Sequence, residues 1–324
     1  FWTFYMSTLL SFGEVLIDLL PVGHSGLVHE SIPGGAPANV AVGYAKLGGR
    51  SFFAGGISAD NYGVMLQDAL AAQGVDVSCL TLVPDAATAT VLVSLDAQGE
   101  RAFSFNRQST ADMLYREADF DAIDWSQIDI FHLCSNTFTE KAIFTASLYG
   151  AKKAHKEQTL VSFDVNLRLS LWQDTRLLSA RVEQCFGYTH LLKMSKEEAL
   201  YLALERGVSF DDYLAFCIAQ GVRLILVTNG AESVLCHSAE FSFELPVPKI
   251  VAIDTTAAGD SFVAGFIFEL GRDEGYFTPG PLVQKLLNRV NVQTSAEFAI
   301  KCGAITCTTK GAFPALPVLE QVQS

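Results

Sequence analysis

Residues 253 to 262 read IDTTAAGDSF, and the apolar run VAGFIFEL follows at once. Ala257, Ala258 and Gly259 carry little or no side chain, so successive backbone N–H groups can come close to an oxyanion. A helix starting at Asp260 would add the positive end of its dipole. Such a stretch is a cradle for an anion. Asp260 can serve it in two ways: as the cap of the helix, or, beside a phosphoryl group, as the base that takes the proton from an attacking hydroxyl.

Other stretches carry polar groups where a ligand would be read. In PGGAPANVAVGYAKLGG (33 to 49), Gly34 and Gly35 permit close backbone approach, and Asn39 presents a donor and an acceptor in a first helical turn. Those are groups that read sugar hydroxyls, although a glycine-rich turn with a solvated Asn39 fits the same residues. Asp18 stands at the end of the first expected strand, where an open α/β sheet places a ligand-reading carboxylate or a loop aspartate caps the next turn. In FDVNLRLSLW (163 to 172), Asp164, Asn166 and Arg168 alternate, so an extended backbone would point all three one way, toward phosphate, metal-bound water or substrate. A solvated strand end with an internal Asp–Arg pair is the plainer reading. KMSKEEA (193 to 199) has the form of a helix start, with Ser195 as N-cap and Glu198 completing a capping box. There is no GxxxxGK[ST], no GxGxxG after a strand and no GxSxG, which excludes the P-loop, the dinucleotide fingerprint and the nucleophile elbow.

The elements that must position these residues follow from the hydrophobic pattern. From Leu9 onward, short apolar runs alternate with segments of helical period, the signature of βαβ units and a mostly parallel sheet. LLSFGEVLIDL reads as the first strand, PANVAVGYAKLG as a helix, SFFAGGIS as a strand and NYGVMLQDALAAQG as a helix. Later strands are IDIFHLC (128 to 134), TLVSFDV (159 to 165), THLLKM (189 to 194) and RLILVTN (223 to 229), each expected to lead into a helix. Their continuous hydrophobicity calls for cover on both faces. Two stretches break the rhythm: residues 88 to 107 read as a hairpin turning at Ala97-Gln98-Gly99, and 19 to 33 is too short for a crossover helix. Together they suggest a small β flap, a natural lid beside a cleft. Residues 233 to 247 form a second hairpin-like passage.

Composition narrows the partners. The 324 residues are half hydrophobic, and 22 Lys and Arg against 35 Asp and Glu give a formal charge of −13, which repels nucleic acid and anionic membranes. Small-molecule chemistry is expected, with any anion held by local amides, a helix end or a metal ion. Seven cysteines without a CxxC pair argue for reduced thiols in the cytoplasm, and the scattered histidines give no expectation of structural zinc. The N-terminal FWTFYMSTLLSF has neither the basic flank of a signal peptide nor the length of a membrane span, and Met6 is the expected native start.

Taken together, these stretches resemble the ribokinase-like (PfkB) family of sugar kinases over Leu9 to Leu319. DTTAAGDSFVAG is similar to the family's C-terminal signature, PGGAPANVAVGYAKLG to its N-terminal one, and VTNGAES (227 to 233) to its strand-turn before the nucleotide site. FNRQSTADMLY (105 to 115), FDVNLRLSLW and TTKGAFPALP (308 to 317) resemble fructokinase segments in particular. The resemblance implies one domain over 1 to 324, of three-layer α/β/α type with a central mostly parallel sheet and a small β lid from about 19 to 33 and 88 to 107. It implies a phosphotransferase that moves the γ-phosphate of ATP to the 6-hydroxyl of D-fructose. Asp18, Gly34, Gly35 and Asn39 would then hold the sugar, and Arg107 would reach over from the lid. Asp260 would act as base and Ala257, Ala258 and Gly259 as anion hole. Asn166, Arg168 and Glu198 would lie around the phosphates and Mg²⁺, and Thr228, Gly230, Lys310 and Gly311 would border the nucleotide. A K⁺ ion near Asp254 and Thr256 is common in the family.

Two positions depart from the pattern: Ala257 stands where many fructokinases have Gly, and Ser195 where many members carry the Asn of an Asn-x-x-Glu motif. Three alternatives belong with this reading. Arg168 could meet the carboxylate of 2-keto-3-deoxygluconate, ribose or a riboside could be the acceptor, or the chain could be a sugar-binding sensor without catalysis. A nicotinamide-dependent oxidoreductase is disfavoured by the missing glycine fingerprint. An apolar lid hairpin, VLVSL (91 to 95) with FSF (103 to 105), would be better buried against a copy of itself, which implies a homodimer.

Overall fold

The structure, a computed structural model, describes residues 6–22, 28–95, 101–272 and 282–324. Two sheets organise it. The strands are β1 (Thr8–Phe12), β2 (Leu16–Val22), β3 (Val28–Gly34), β4 (Arg50–Ser58), β5 (Val75–Asp76), β6 (Leu80–Val83), β7 (Thr90–Leu95) and β8 (Arg101–Asn106), then β9 (Ile130–Cys134), β10 (Leu160–Asp164), β11 (Leu191–Ser195), β12 (Leu224–Thr228), β13 (Ser233–His237) and β14 (Ser242–Pro246). Among the described residues the large sheet runs β14-β13-β12-β11-β10-β9-β1-β4-β5, with β6 also on β4. It is parallel from β12 through β4 and antiparallel at the β13 and β14 edge.

Helices cover both faces, as the continuous apolar strands require. They are α1 (Ala36–Lys46), α2 (Asn61–Ala72), α3 (Glu117–Asp121), α4 (Lys141–Lys156), α5 (Leu178–Phe186), α6 (Lys196–Arg206), α7 (Phe210–Ala219), α8 (Ala258–Gly271), α9 (Leu282–Lys285), α10 (Arg289–Thr306) and α11 (Leu319–Gln323). The pleat sorts the strand residues by parity. Leu10, Phe131, Phe163, Leu192 and Ile225 share one core with the apolar sides of α4 to α7. Leu9, Ile130, Leu160, Leu191 and Leu224 share the other with α1, α8 and α10. No helix among the described residues is long and apolar enough to cross a membrane.

Two sequence expectations need correction. LLSFGEVLIDL is not one strand: β1 lies in the large sheet and β2 in the small one. The chain turns at Gly13, at φ 148°, where a Cβ would stand 2.6 Å from the Pro37 ring. A continuous apolar run hides such a break, because both halves are buried. RLILVTN leads into the β13–β14 hairpin and not into a helix, which confirms the hairpin reading of 233 to 247.

The small sheet has the order β3-β2-β7-β8 and joins two antiparallel hairpins through a parallel β2–β7 contact. Residues 88 to 107 therefore form the expected hairpin; its expected turn, Ala97 to Gly99, lies outside the described residues, as does residues 1 to 5.

Candidate active site

The N-terminus of α8 is built to be left open. Ala257 precedes it in the left-handed region, at φ 60°, and the helix has no side-chain cap. Helical geometry leaves the first-turn N–H groups without intrahelical partners. The helix starts at Ala258, two residues before the sequence suggested, so Asp260 sits inside the first turn and does not cap it. Of the two roles open to that carboxylate, capping is thereby removed.

Packing fixes where this helix end stands. α8 is buried along most of its length between α1 and α10. A Cβ on Gly43 would meet the Ala264 methyl at 2.9 Å, and one on Gly265 would meet the Cys302 sulfur at 2.7 Å. Thr306 on α10 adds a hydroxyl bond to Ser261 at 2.8 Å.

Asp260 meets the N-terminal motif directly: the Asn39 amide donates to its Oδ2 at 2.7 Å. Burial raises the Asp260 carboxyl above its ordinary value, against the lowering pull of the Asn39 bond and of the Lys193 and Arg168 charges. Asn39 is itself fixed by its backbone N–H to the Gly35 carbonyl at 2.8 Å. Gly35 lies at φ 113°, and a Cβ there would stand 2.5 Å from the Glu14 carbonyl oxygen. Asp18 lies within β2 of the small sheet, not at the end of a strand of the large one. Its Oδ2 fills the space a Gly34 Cβ would take, at 2.6 Å, and burial pushes its pKa up to about 6.

The stretch after β10 departs from the alternating pattern. Asn166 adopts φ 38°, so the backbone is not extended there; Asp164 and Asn166 are buried while Arg168 is exposed. Asp164 turns to Lys193 of the neighbouring strand, whose Nζ donates to both carboxylate oxygens at 3.1 and 2.9 Å. The capping box forms as expected, Ser195 Oγ accepting from the Glu198 N–H at 3.1 Å and Glu198 Oε2 from the Ser195 N–H at 2.7 Å. Glu198 Oε1 also accepts the Leu167 N–H at 2.7 Å, tying the loop that carries Asn166 and Arg168 to the start of α6.

Sequence reasoning missed Lys193. Its signal was a single charged residue in the apolar strand THLLKM, a position that normally excludes lysine unless it is paired. Register supplies the partner, because Lys193 lies opposite Asp164 in the parallel β10–β11 pair.

Arg107 does not reach out from the small sheet. It is buried just past β8, its Nε donating to Asp112 Oδ2 at 2.5 Å and its Nη1 to the Asn136 carbonyl at 2.7 Å. Nη2 lies 3.7 Å from Glu14. The side chain thus ties the base of the small sheet to the body. Three buried polar atoms of these residues, Asn39 Oδ1, Asn166 Nδ2 and Arg107 Nη2, have no hydrogen-bond partner. Buried atoms left unpaired are uncommon in a folded protein and suit a site that a ligand completes.

A second group lies on the other side of the α8 start. Asp254 Oδ1 accepts from the Thr256 N–H and hydroxyl at 3.0 and 2.7 Å, and its Oδ2 accepts from the Gly311 N–H at 3.1 Å. That last bond draws Lys310 and Gly311, after α10, to the segment preceding α8. Lys310 is exposed. Thr228 ends β12, and Gly230 follows at φ 55°. No cluster of three or more His, Cys, Asp or Glu that could hold a metal ion occurs among the described residues.

The model of the pfkB family of carbohydrate kinases matches residues 6–319. A probable chloroplastic fructokinase of Arabidopsis thaliana is 35% identical over 317 residues, covering 96% of this chain and 80% of that one. Among solved structures, a fructokinase from Xylella fastidiosa with bound ATP superposes with a TM-score of 0.92 at 33% identity, over 98% of this chain and 97% of its own. A double mutant of a Vibrio cholerae O395 fructokinase, bound to fructose, ADP and a potassium ion, gives a TM-score of 0.87 at 30% identity over 99% of both chains.

Proposed function

The chain belongs to the pfkB family of carbohydrate kinases, and we propose that within it the protein transfers the γ-phosphate of ATP to the 6-hydroxyl of D-fructose. The observation that carries the chemistry is the Asp260 carboxylate in the open first turn of α8, held by Asn39 and raised by burial. A base placed beside a phosphate cradle, with its pKa moved toward the working pH, is what in-line transfer to a hydroxyl needs.

In this reading the sugar lies between the small sheet and α1. Asp18 and the free Asn39 Oδ1 accept from its hydroxyls, Gly34 and Gly35 keep the wall thin, and Arg107 offers Nη2, which pairs with Glu14 but makes no hydrogen bond. Asp260 accepts the proton of the 6-hydroxyl as the O6–P bond forms and the bond from the γ-phosphorus to the bridging oxygen breaks. The Ala257 to Gly259 backbone, with Arg168, meets the charge on the transferred phosphoryl group, and ADP leaves along Thr228, Gly230, Lys310 and Gly311. Positioning and charge neutralisation supply most of the acceleration.

Mg²⁺ travels with ATP, and the acidic residues suit a cation carried mainly by phosphate oxygens. Each Glu198 oxygen keeps a lone pair beyond its backbone bond, and Asn166 has an unpaired amide nitrogen, so the two can orient water around that cation. When bound, it neutralises phosphate charge. The Asp254 carboxylate and the Thr256 hydroxyl are oxygen donors of the kind a K⁺ ion takes, next to the start of α8. One kinase domain with the small sheet as its lid fits the topology. Val22 and Leu92, exposed on that sheet, support a homodimer formed through it. Seven free thiols support a cytoplasmic location.

The test is ADP release from Mg-ATP with D-fructose, 2-keto-3-deoxygluconate, ribose and aminoimidazole riboside in parallel, with the product's phosphate located by NMR. Turnover on fructose with phosphate on O6 is expected. Turnover on another acceptor alone would move the sugar assignment, and none at all would favour a sensor.

A further inference from the structure

The anion cradle has a charged floor. Lys193 is buried, and a methyl group built on Gly259 would lie 3.2 Å from its Nζ. The ammonium therefore sits directly under the residue whose backbone forms the cradle. Its ammonium donates to both oxygens of Asp164 and also feels the charges of Glu198 and Asp260. If its only task were to neutralise Asp164, an apolar pair would serve the fold as well or better, because a buried ion pair seldom repays its desolvation.

We propose that Lys193 is a positioning residue for phosphoryl transfer, a fixed positive charge beneath Gly259 that stabilises the transferred phosphoryl group and keeps Asp260 ionised. The proposal deepens the kinase reading above and rests on it. Burial lowers the Lys193 pKa, but the surrounding carboxylates outweigh it and raise the net value, so the ammonium stays charged through the working range. A fixed cation in a dry site acts without the reorganisation that water would need. The groups facing Asp260 are Asn39 from α1, Arg168 from the loop after β10, Glu14 from the β1–β2 connection, Lys193 from β11 and, with like charge, Asp164 from β10. Arg168 is exposed and free to move with ligand; Lys193 is not.

The experiment compares wild type with K193M and with the double variant K193M/D164N, which removes the carboxylate that K193M alone would strand. If Lys193 acts on the chemistry, the double variant keeps the wild-type Tm but loses about 10²-fold in kcat. Its KM for fructose then changes less than about threefold, and the acid limb of its kcat/KM profile moves up by roughly half a pH unit, the lost Asp164 charge offsetting part of the lost Lys193 charge. Binding of Mg-ADP with aluminium fluoride, a mimic of the phosphoryl group in transfer, is measured on the same proteins and weakens at least tenfold. That binding reads the cradle whatever sugar is accepted, so failure of the fructose assignment leaves it interpretable. A double variant with wild-type turnover and an unmoved acid limb, or with unchanged affinity for the mimic, would reduce Lys193 to the structural partner of Asp164.

Discussion

The Asn39 side-chain amide donates to Asp260 at 2.7 Å across a sequence separation of 221 residues, joining the first turn of α1 to the first turn of α8. The two family signatures therefore meet in one hydrogen bond. Because that bond favours the charged carboxylate, Asn39→Ala should raise the Asp260 pKa, and the acid limb of kcat/KM should move to higher pH by roughly half to one unit. An unmoved limb would show that the bond does not tune the base.

Asp260→Asn keeps the shape of the group and removes its basicity. Turnover should fall by about 10²- to 10⁴-fold, while ATP affinity, measured by calorimetry, should stay within a few-fold of wild type. Near-normal turnover would remove Asp260 from the mechanism.

Asp18 ties pH to both stability and binding. Its folded pKa of about 6 lies above the ordinary 3.8 because burial penalises the charge. The folded state then holds the proton more tightly than the unfolded one between those values, so this group's contribution to stability falls as pH rises through that window and is fully unfavourable above it. Asp18→Asn should accordingly raise the Tm at pH 8 by about 2 °C or more. It should also raise the fructose KM by tenfold or more, and wild-type KM should climb as pH drops below about 6. A lower Tm together with unchanged KM would contradict both parts.

Ala257 is strained by its own methyl group, since φ 60° costs a non-glycine residue roughly 1–2 kcal/mol. Ala257→Gly relieves that strain but gives the unfolded chain more freedom, an offset of about 0.4–1 kcal/mol. The expected net is a stabilisation of up to about 1.6 kcal/mol with kcat unchanged. Ala257→Val should lower the Tm. Equal Tm values for the Gly and Val variants in thermal melts would argue against the left-handed backbone.

What the sequence disclosed and what it withheld divide along physical lines. The open start of α8 with Asp260 in its first turn was legible because three small residues before an apolar helix are costly unless backbone must be approached closely. The capping box at Ser195 and Glu198 was legible because it is local. Lys193 was not, since its partner Asp164 is 29 residues away and only the parallel register brings them together. The inward turn of Arg107 to Asp112 and Asn136 was not legible, because the number of residues between β8 and the body says nothing about which way a side chain turns at a junction. The left-handed Asn166 broke an alternation that assumed an extended chain.

The glycine contacts of α8 give the base a mechanical dependence on distant positions. Gly43 against Ala264 and Gly265 against Cys302 act as stops on the sliding of one helix between two others. Asp260 rides at the end of that slider, while the residues proposed to hold the sugar belong to other elements. A bulkier side chain at either stop would displace the base along its axis and leave the substrate where it was. Such a lesion would register in kinetics as lost chemistry with retained affinity, although the altered residue touches neither sugar nor nucleotide.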